Sequence, residues 1–379
     1  MPDRIFLDNN ATTLILPAVA EAMSVAWQTA FANPGSQHGF GRDARRVLED
    51  SREDIARILD ADASEIVFTS GGTESINTAI HGLTQGRTGT IALTAGEHPA
   101  TTAACKAVQE RGLQTVDLPV DGNGNLVADA WPDLPWDSLQ LVCVILAHNE
   151  TGVIQDLKAL GDLCEQHSVP LLIDAVQAVG KIPVSFRDLK ATALAFGAHK
   201  FHGPRGIGGL VIRDGVKIPA FLEGGHQESG RRAGTEPVPL IAGMAAALRA
   251  FEAGGRDRMA SIQMLRNQLE TLLRESCAPI VIHGACANRL PNTLSIAFPG
   301  VDGEAMLVNL DLAGVACSLG STCASGSAEP APSLLAMGIE PDICTSSVRF
   351  SLSSLTTEEE VRDAAERIAD VVRRLRCDK

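Results

Sequence analysis

The chain contains no tyrosine, and aromatic residues make up only 4% of its 379 residues. A tyrosine phenol therefore cannot serve as a catalytic acid or base in this protein. Basic residues are also in the minority, 32 against 46 acidic ones, which gives a formal net charge of -14. Because nucleic-acid phosphates and anionic membranes attract basic surfaces, this balance argues against direct tight binding to either.

Long apolar segments are missing as well. The N-terminus lacks the apolar run of a signal peptide, and no later segment is long enough to span a bilayer, so we expect a cytoplasmic protein. The nine cysteines are an odd number without Cys-x-x-Cys spacing, which disfavours a disulfide framework or a zinc site. We expect reduced thiols, most of them small core residues, and no intrinsic metal ion.

Apolar strand-like runs alternate with helix-like segments through the first two thirds of the chain. This alternation predicts a mostly parallel sheet covered by helices. The clearest strand candidates are 65–69, 90–93, 141–146, 170–174 and 209–212. Polar motifs follow several of these strands, at the sheet edge where open α/β folds bind their ligands.

The C-terminal third has a different pattern, which predicts a smaller α+β domain. A helix-rich stretch at about 236–275 leads into it. We predict a large domain over 14–250 and a small domain formed by 1–13 and 251–379. The last helix shows an apolar stripe and a terminal arginine cluster, and Thr356 and Glu359 have capping-box spacing.

A lysine and an aspartate carry the first chemical signal. Asp174 ends the apolar strand at 170–174, and Lys200 follows within the segment 196–204. An aspartate can keep a pyridine nitrogen protonated and a lysine can form a Schiff base, so the pair indicates pyridoxal phosphate and chemistry at an amino acid's alpha carbon. A loop-capping aspartate and a solvated lysine would explain each residue taken alone.

Three further motifs follow strands. Gly72 and Thr73 open a helix, where free N–H groups can hold a phosphate or serve only as a helix cap. His98 can stack on an aromatic cofactor and exchange protons, and Asn149 can donate to a cofactor or substrate oxygen. An ordinary loop histidine and a turn asparagine are the alternatives. The glycine-rich segment 206–209 lacks a following helix and indicates a turn into a strand.

Two residues in the C-terminal third have side chains suited to catalysis or binding. Cys323 lies among small and polar residues at 318–327, where a thiolate could act as a nucleophile. No adjacent base or cation that would lower its pKa is evident, and an incidental loop cysteine explains it equally well. The fork of Arg349 could bind a carboxylate with two hydrogen bonds, or face water on an edge strand.

Taken in order, these segments resemble the cysteine desulfurases of the NifS and IscS type, in the class V branch of fold-type I pyridoxal-phosphate enzymes. The resemblance covers nearly the whole chain, through segments 7–13, 68–75, 97–99, 149–152, 174–181, 199–200, 224–228, 231–236, 323–327 and 347–351. It implies an α/β fold with a mostly parallel seven-stranded sheet in the large domain, a smaller α+β domain, and a homodimer.

The resemblance also implies how the cofactor's ring would be held. Lys200 would carry pyridoxal 5'-phosphate as an internal aldimine, and Asp174 would pair with the pyridine nitrogen. Gln177 would reach the phenolic oxygen, while His98 would stack on the ring and handle protons. Asn149 would contact the cofactor as well as the substrate.

For the phosphate, the resemblance implies Gly72, Thr73 and His199, joined by Thr235 of the partner subunit. Gly197 stands where such enzymes commonly have a serine that hydrogen-bonds the phosphate, so we expect somewhat weaker cofactor retention. Leu319 and Thr322 replace small residues that commonly precede the cysteine, which could alter loop movement or partner docking.

For the reaction, the resemblance implies that Asn149 and Arg349 fix L-cysteine and that Cys323 attacks its sulfur. The products would be L-alanine and an enzyme persulfide, which supplies an iron–sulfur scaffold protein, a sulfurtransferase or another thio-cofactor pathway. Cys323 could also share an iron–sulfur cluster transiently with a scaffold. The alternatives are a class V lyase or aminotransferase, such as a selenocysteine or cystine lyase, and a non-enzymatic sulfur-carrying scaffold partner.

Overall fold

The computed structural model describes residues 4–319 and 330–377. In this part of the chain the strands are β1 Ile5–Phe6, β2 Ile66–Thr69, β3 Gly89–Thr94, β4 Leu113–Leu118, β5 Leu139–Ile145, β6 Leu171–Asp174, β7 Ala193–Gly197, β8 Gly208–Ile212, β9 Val281–Ile282, β10 Thr293–Ala297, β11 Val315–Ala316, β12 Ser318–Leu319 and β13 Ser347–Ser351. The helices are α1 Pro17–Thr29, α2 Gly39–Ile58, α3 Gly72–Leu83, α4 Pro99–Gln109, α5 Lys158–Gln166, α6 Val238–Ser276, α7 Gly303–Leu312, α8 Pro332–Ala336, α9 Pro341–Thr345 and α10 Glu358–Cys377. Short 3-10 turns occur at Ala63–Glu65, Ala128–Ala130, Ala198–Lys200 and Gln227–Gly230.

The large sheet has seven strands in the order β2-β8-β7-β6-β5-β3-β4. Strands β3 to β7 run parallel, and β8 runs antiparallel to both of its neighbours. The Leu, Val and Ile side chains of β5 and β6 are buried, as expected for central strands with both faces covered. The predicted α/β fold with a mostly parallel seven-stranded sheet is confirmed.

The five strands predicted from sequence all occur, with ends displaced by no more than two residues. Strands β4 and β7 were not predicted. Strand β4 lies at the edge of the sheet and mixes polar and apolar residues, because Gln114, Thr115 and Asp117 are exposed. Strand β7 contains alanines in place of β-branched residues. The segment 206–209 turns into β8 as predicted, with Gly206 at φ 87°.

A second core surrounds the smaller sheet, whose strand order is β12-β13-β10-β9. Helix α6 connects the two cores. It is interrupted at Gly255, whose φ is 49°; the part before this residue packs in the core of the large sheet, and the part after it packs beside β10 and α10. The domain limits of 14–250 and of 1–13 with 251–379 stay a prediction, which these separate cores support.

The start of α10 differs by one residue from the prediction. The backbone N–H of Glu360 donates to Thr357 Oγ1 at 3.1 Å, and the N–H of Thr357 donates to Glu360 Oε2 at 2.8 Å. Thr356 Oγ1 instead accepts the N–H of Ser353 at 3.0 Å. The predicted box of Thr356 and Glu359 is therefore wrong, because two overlapping threonine–glutamate pairs have the same spacing and the sequence pattern cannot separate them.

The described residues contain neither a membrane-spanning helix nor a metal-binding cluster. No helix in ranges 4–319 and 330–377 combines the length and apolar character needed to cross a bilayer. Across the same ranges, no group of three or more His, Cys, Asp or Glu residues is placed to hold a metal ion. Among the described cysteines, five are buried: Cys105, Cys143, Cys164, Cys277 and Cys344.

A buried ion pair holds the loop at 224–236 against the large sheet. Arg52 donates two hydrogen bonds to Glu228, at 2.7 and 2.8 Å, and its guanidinium lies 4.6 Å from the ring centre of Phe68. The N–H of Phe68 donates to the same carboxylate at 2.9 Å. Glu228 and Ser229 have positive φ angles of 49° and 58°, so this pair holds the loop in an uncommon backbone conformation.

We expect Glu228→Gln to destabilise the protein by about 3 kcal/mol, because it removes the buried countercharge of Arg52 and leaves only the more exposed Glu49. The matched control is Glu252→Gln, which breaks the exposed pair with Arg57 and should change stability little. Urea unfolding of both variants measures the difference. Equal losses in the two would contradict a special role for the buried pair.

Candidate active site

A cavity of about 350 Å³ lies at the carboxyl edge of the large sheet. It is lined by Asn10, Ala11, Gly72, Thr73, Ile76, His98, Ile145, Asn149, Asp174, Val176, Gln177, His199, Lys200 and Arg349. Nine of the residues proposed from sequence are among them: Gly72, Thr73, His98, Asn149, Asp174, Gln177, His199, Lys200 and Arg349. Segments far apart in the chain therefore converge on one space, and their assigned roles stay predictions.

The start of α3 forms one end of the cavity. The N–H groups of a first helical turn have no partner within the helix, so they can bind an anion. Glu74 Oε2 accepts the N–H of Ser70 at 2.7 Å, which fixes the turn before the helix. A Cβ at residue 72 would lie 2.5 Å from Val176 Cγ2, so any larger residue would force the Val176 side chain to move. The backbone of α3 thus approaches the loop that follows β6.

Asp174 ends β6 and is buried at the base of the cavity. Its Oδ1 accepts the N–H of Val176 at 2.9 Å. Burial raises the pKa of this carboxyl to about 6, despite the opposing effects of that hydrogen bond and of the Lys200 charge. A cationic N–H group in the cavity would favour the ionised carboxylate.

Lys200 follows β7 in a short 3-10 turn and points back to the N-terminal segment. Its Nζ donates to the backbone oxygens of Asn10 and Ala11, at 2.7 and 2.9 Å. Burial, followed by the nearby charge of Arg349, lowers the pKa of this amine to about 8. An appreciable fraction is then uncharged near neutral pH, which is the form that attacks an aldehyde.

His98 caps the start of α4, and its Nδ1 accepts the N–H of Ala100 at 3.1 Å. The neutral ring therefore carries its proton on Nε2. Burial, with smaller contributions from Lys200 and His148, lowers the pKa of His98 to about 4. This side chain is therefore a neutral imidazole on the wall of the cavity.

Buried His148 connects two loops of the site. Its Nδ1 accepts the N–H of Glu150 at 3.1 Å, and its Nε2 lies 2.9 Å from the carbonyl oxygen of Gly96, to which it donates in this tautomer. Asn149, between them, donates from its side chain to Glu150 Oε1 at 2.7 Å. The loops that carry His98 and Asn149 are thereby held at a fixed spacing.

Arg349 lies on β13, between β12 and β10, so it is not on an edge strand. Its guanidinium donates to Asp8 Oδ1 at 2.9 Å, to Glu150 Oε1 at 3.0 Å and to the carbonyl oxygen of Asn149 at 3.1 Å. The side chain is buried, and its Nε has no hydrogen-bond partner among the described residues. A carboxylate that enters the cavity can bind here in competition with Asp8 and Glu150.

Asn10 is a site residue that the sequence reasoning did not assign. Its Nδ2 donates to Thr293 Oγ1 at 2.9 Å and to the Asn149 carbonyl oxygen at 3.1 Å. Its own backbone oxygen accepts from Lys200 Nζ and, at 2.9 Å, from Gln177 Nε2. Its sequence signals were the polar run Asp8-Asn9-Asn10 and its place in segment 7–13 of the family resemblance, and neither assigned Asn10 a role.

Gly197 and Thr235 do not line this cavity. Gly197 ends β7 beside the start of α3, and a Cβ added there would lie 3.4 Å from Gly72 N, an ordinary contact. Thr235 is exposed on the loop at 224–236. Cys323 lies outside the described residues, as does Thr322, whereas Leu319 is buried in β12.

The chain matches the family model described as aminotransferase class-V over residues 5–363. It is 42% identical to a cysteine desulfurase of Enterobacter agglomerans, over 98% of this chain and 93% of that one. The chain belongs to the class-V aminotransferase family. Within this family it is also 38% identical to the cysteine desulfurase NifS of Azotobacter vinelandii, over 98% of this chain and 93% of the relative.

Solved structures of the same family agree with this assignment. A NifS-like protein superposes with a TM-score of 0.92 at 34% identity, covering 98% of this chain and all of the other. A NifS-like protein of Rickettsia africae gives 0.88 at 29% identity, covering 97% of this chain and 99% of that one. The predicted relationship to NifS- and IscS-type cysteine desulfurases is confirmed, and class-V membership implies pyridoxal phosphate as cofactor.

Glu97, next to His98, is a second acid that the sequence reasoning left without a role. Its carboxyl is buried, and Oε1 accepts the N–H of Ile145 at 2.6 Å. Burial, with a smaller contribution from Asp174, raises the pKa of Glu97 from 4.5 to about 8. The side chain is therefore largely protonated at neutral pH, where it connects the loop before α4 to the end of β5.

The raised pKa of Glu97 makes the stability of the cofactor-free protein depend on pH. A carboxyl whose pKa is higher in the folded state contributes stability that is complete below about pH 4.5 and is lost as the pH rises through about 8. We expect Glu97→Gln to remove this loss, so that its stability relative to the parent rises by more than about 1 kcal/mol between pH 5 and 9. Urea unfolding at both values measures it, with exposed Glu359→Gln as control. The same pH dependence in all three proteins would refute the assignment.

Proposed function

We propose that this protein is a pyridoxal-phosphate-dependent cysteine desulfurase that converts L-cysteine to L-alanine and carries the sulfur as a persulfide on Cys323. The observation that carries the proposal is the convergence of Lys200, Asp174 and Arg349 on one cavity in a chain similar to named cysteine desulfurases. Cys323 itself rests on the sequence, because it lies outside the described residues.

The residues around the cavity fit this cofactor. Pyridoxal phosphate, when bound, withdraws electrons from an amino acid's alpha carbon. The buried carboxyl of Asp174 is available to a ring N–H group, and the amine of Lys200 is available to an aldehyde. The start of α3, with Gly72 and Thr73, offers N–H groups and a hydroxyl to a phosphate. We assign these residues, together with His98, Gln177 and His199, to cofactor binding.

The other wall of the cavity is suited to an amino-acid substrate. Arg349 and Asn149 would bind the carboxylate, with release of the contacts from Asp8 and Glu150 to the guanidinium. The Lys200 amine would accept and return a proton at the substrate's alpha carbon. Cys323 Sγ, as a thiolate, would bond to the substrate sulfur while the carbon–sulfur bond breaks, and a proton would replace sulfur on that carbon.

We propose that the protein acts as a homodimer. Aromatic side chains that a single chain leaves exposed support this: Trp27 is 62%, Phe31 64% and Phe40 62% exposed, and the rings of Phe31 and Phe40 lie 5.6 Å apart. Thr235 is also exposed and does not line the cavity of its own chain, which is consistent with a contact to the partner's phosphate site. The sulfur acceptor would be an iron–sulfur scaffold or a sulfurtransferase, in the cytoplasm.

Replacing Cys323 tests the proposal directly. We expect Cys323→Ala to keep the yellow colour of the bound cofactor but to lose alanine production from L-cysteine, because the nucleophile is gone while the cavity is intact. Exposed Cys286→Ala is the matched control and should keep full turnover. Alanine release and mass-spectrometric persulfide mapping provide the measurements.

The outcomes separate the candidate functions. Undiminished turnover in Cys323→Ala would point to a class V lyase that releases sulfur without an enzyme persulfide. A colourless parent protein without turnover would favour the non-enzymatic scaffold. Lys200→Ala should lose the borohydride-reducible cofactor link, and a persisting link at another lysine would refute the role of Lys200.

The glycine at position 197 gives a prediction about cofactor retention. A Cβ at this position is tolerated 3.4 Å from Gly72 N, so a serine hydroxyl there can reach toward the phosphate site. We expect Gly197→Ser to retain pyridoxal phosphate up to about tenfold more tightly, the effect of one added hydrogen bond. Gly197→Ala is the control, and dialysis followed by absorbance measures retention. Faster loss from the serine variant than from the alanine variant would contradict the expectation.

A further inference from the structure

Lys181 is a second lysine beside the cavity, four residues after Gln177. Its Nζ donates to Gln177 Oε1 and, at 2.7 Å, to Asn10 Oδ1. Neither the sequence motifs nor the assigned site residues give this lysine a role. Its two acceptors belong to Gln177, which lines the cavity, and to Asn10, which holds Lys200 in place.

These contacts leave the Gln177 amide a single orientation. The Gln177 oxygen must face Lys181, because the Nζ donates hydrogens there. The Gln177 nitrogen must face the Asn10 backbone carbonyl, because that oxygen only accepts. Gln177 Nε2 accordingly donates to the backbone oxygen of Asn10 at 2.9 Å. The amide nitrogen has two hydrogens, and this bond uses one of them. The other is left for the cavity.

The orientation of Asn10 is fixed in the same way. Its Oδ1 accepts from Lys181 and, at 3.0 Å, from Asn292 Nδ2, while its Nδ2 donates to Thr293 Oγ1 and the Asn149 carbonyl oxygen. Both atoms of the Asn10 side-chain amide therefore have partners: its oxygen faces two donors and its nitrogen faces two acceptors. Lys181 therefore contacts the fixed amide of Asn10 on one side and, on the other, the amide of Gln177, which lines the cavity.

The local charges do not change this arrangement. Burial, then the charges of Lys200 and Arg349, lower the pKa of Lys181 well below its ordinary value. A neutral amine still has two N–H groups, which is the number that Gln177 and Asn10 require. Lys181 can therefore hold both oxygens in either protonation state.

We propose that Lys181 is a positioning residue: it holds the Gln177 amide with its nitrogen toward the cavity, so that the cofactor's ring oxygen meets an N–H donor and not a carbonyl oxygen. This inference rests on the proposed function, since it assumes pyridoxal phosphate in the cavity. A donor at this position stabilises negative charge on the ring oxygen. Without Lys181 only the bond to the Asn10 carbonyl holds this orientation. The amide then turns its oxygen toward the ring oxygen more easily, and the two oxygens repel.

The test uses the purified protein loaded with pyridoxal 5'-phosphate and titrated by absorbance. Loss of the N–H donor from the ring oxygen should raise the pH of the cofactor's colour change. We expect Lys181→Met to shift it upward by about one unit, as for one lost hydrogen bond to a charged oxygen. Lys181→Arg, which keeps N–H donors, should shift less, and exposed Lys106→Met should not shift.

A double-variant cycle separates positioning from a direct charge effect. If Lys181 acts through Gln177, then Lys181→Met added to Gln177→Leu should cause no further shift. An equal, additive shift in the double variant, or none in Lys181→Met alone, would overturn the inference. A parent protein that binds no pyridoxal phosphate would instead overturn the proposed function.

A second variant covers the case in which Lys181→Met fails to fold. Gln177→Glu keeps the acceptor for Lys181 but has no N–H group to present to the cavity. It should shift the colour change upward in the same way and weaken pyridoxal phosphate binding upon reconstitution. Unchanged titration and affinity in this variant would count against an N–H donor at this position.

Discussion

The hydrogen bonds of Asn10 are the constraint on which the site depends. Its backbone N–H donates to Ser351 Oγ at 2.8 Å, and its Nδ2 donates to Thr293 Oγ1. Both the backbone and the side chain of Asn10 are thus bound to strands of the small sheet. Its backbone oxygen accepts hydrogen bonds from Lys200 Nζ and Gln177 Nε2, which follow strands β7 and β6 of the large sheet. The relative position of the two sheets and the direction of the two site side chains are thus set by the same residue.

Burial is the second general feature of the site. It shifts several ionisable groups toward their uncharged forms: the pKa values of Lys200, His98 and Lys181 fall, and those of Asp174 and Glu97 rise. Arg349 keeps its charge because two carboxylates contact it. A ligand with a cationic ring nitrogen supplies a countercharge for buried Asp174, whereas an anionic carboxylate has to take the place of Asp8 and Glu150 at Arg349.

Much of the fold followed from local sequence patterns. The strands β5 and β6 were evident because they are continuous Leu, Val and Ile runs, and most of the site was evident because polar residues follow such runs. Family resemblance, and not spacing, supplied Gln177 and His199. Asn10 and Lys181 could not be assigned, because their importance lies in bonds to each other across 171 positions of sequence. Local patterns do not encode such pairings.

The bond between Asn10 and Ser351 joins residues 341 positions apart. During synthesis, Asp174 and Lys200 therefore leave the ribosome long before β13 exists to anchor the segment that holds Lys200. Contacts between such distant segments form late, after local helices and neighbouring strands. The cavity is complete only after β13 has been made, because Arg349 lines it and Ser351 anchors Asn10.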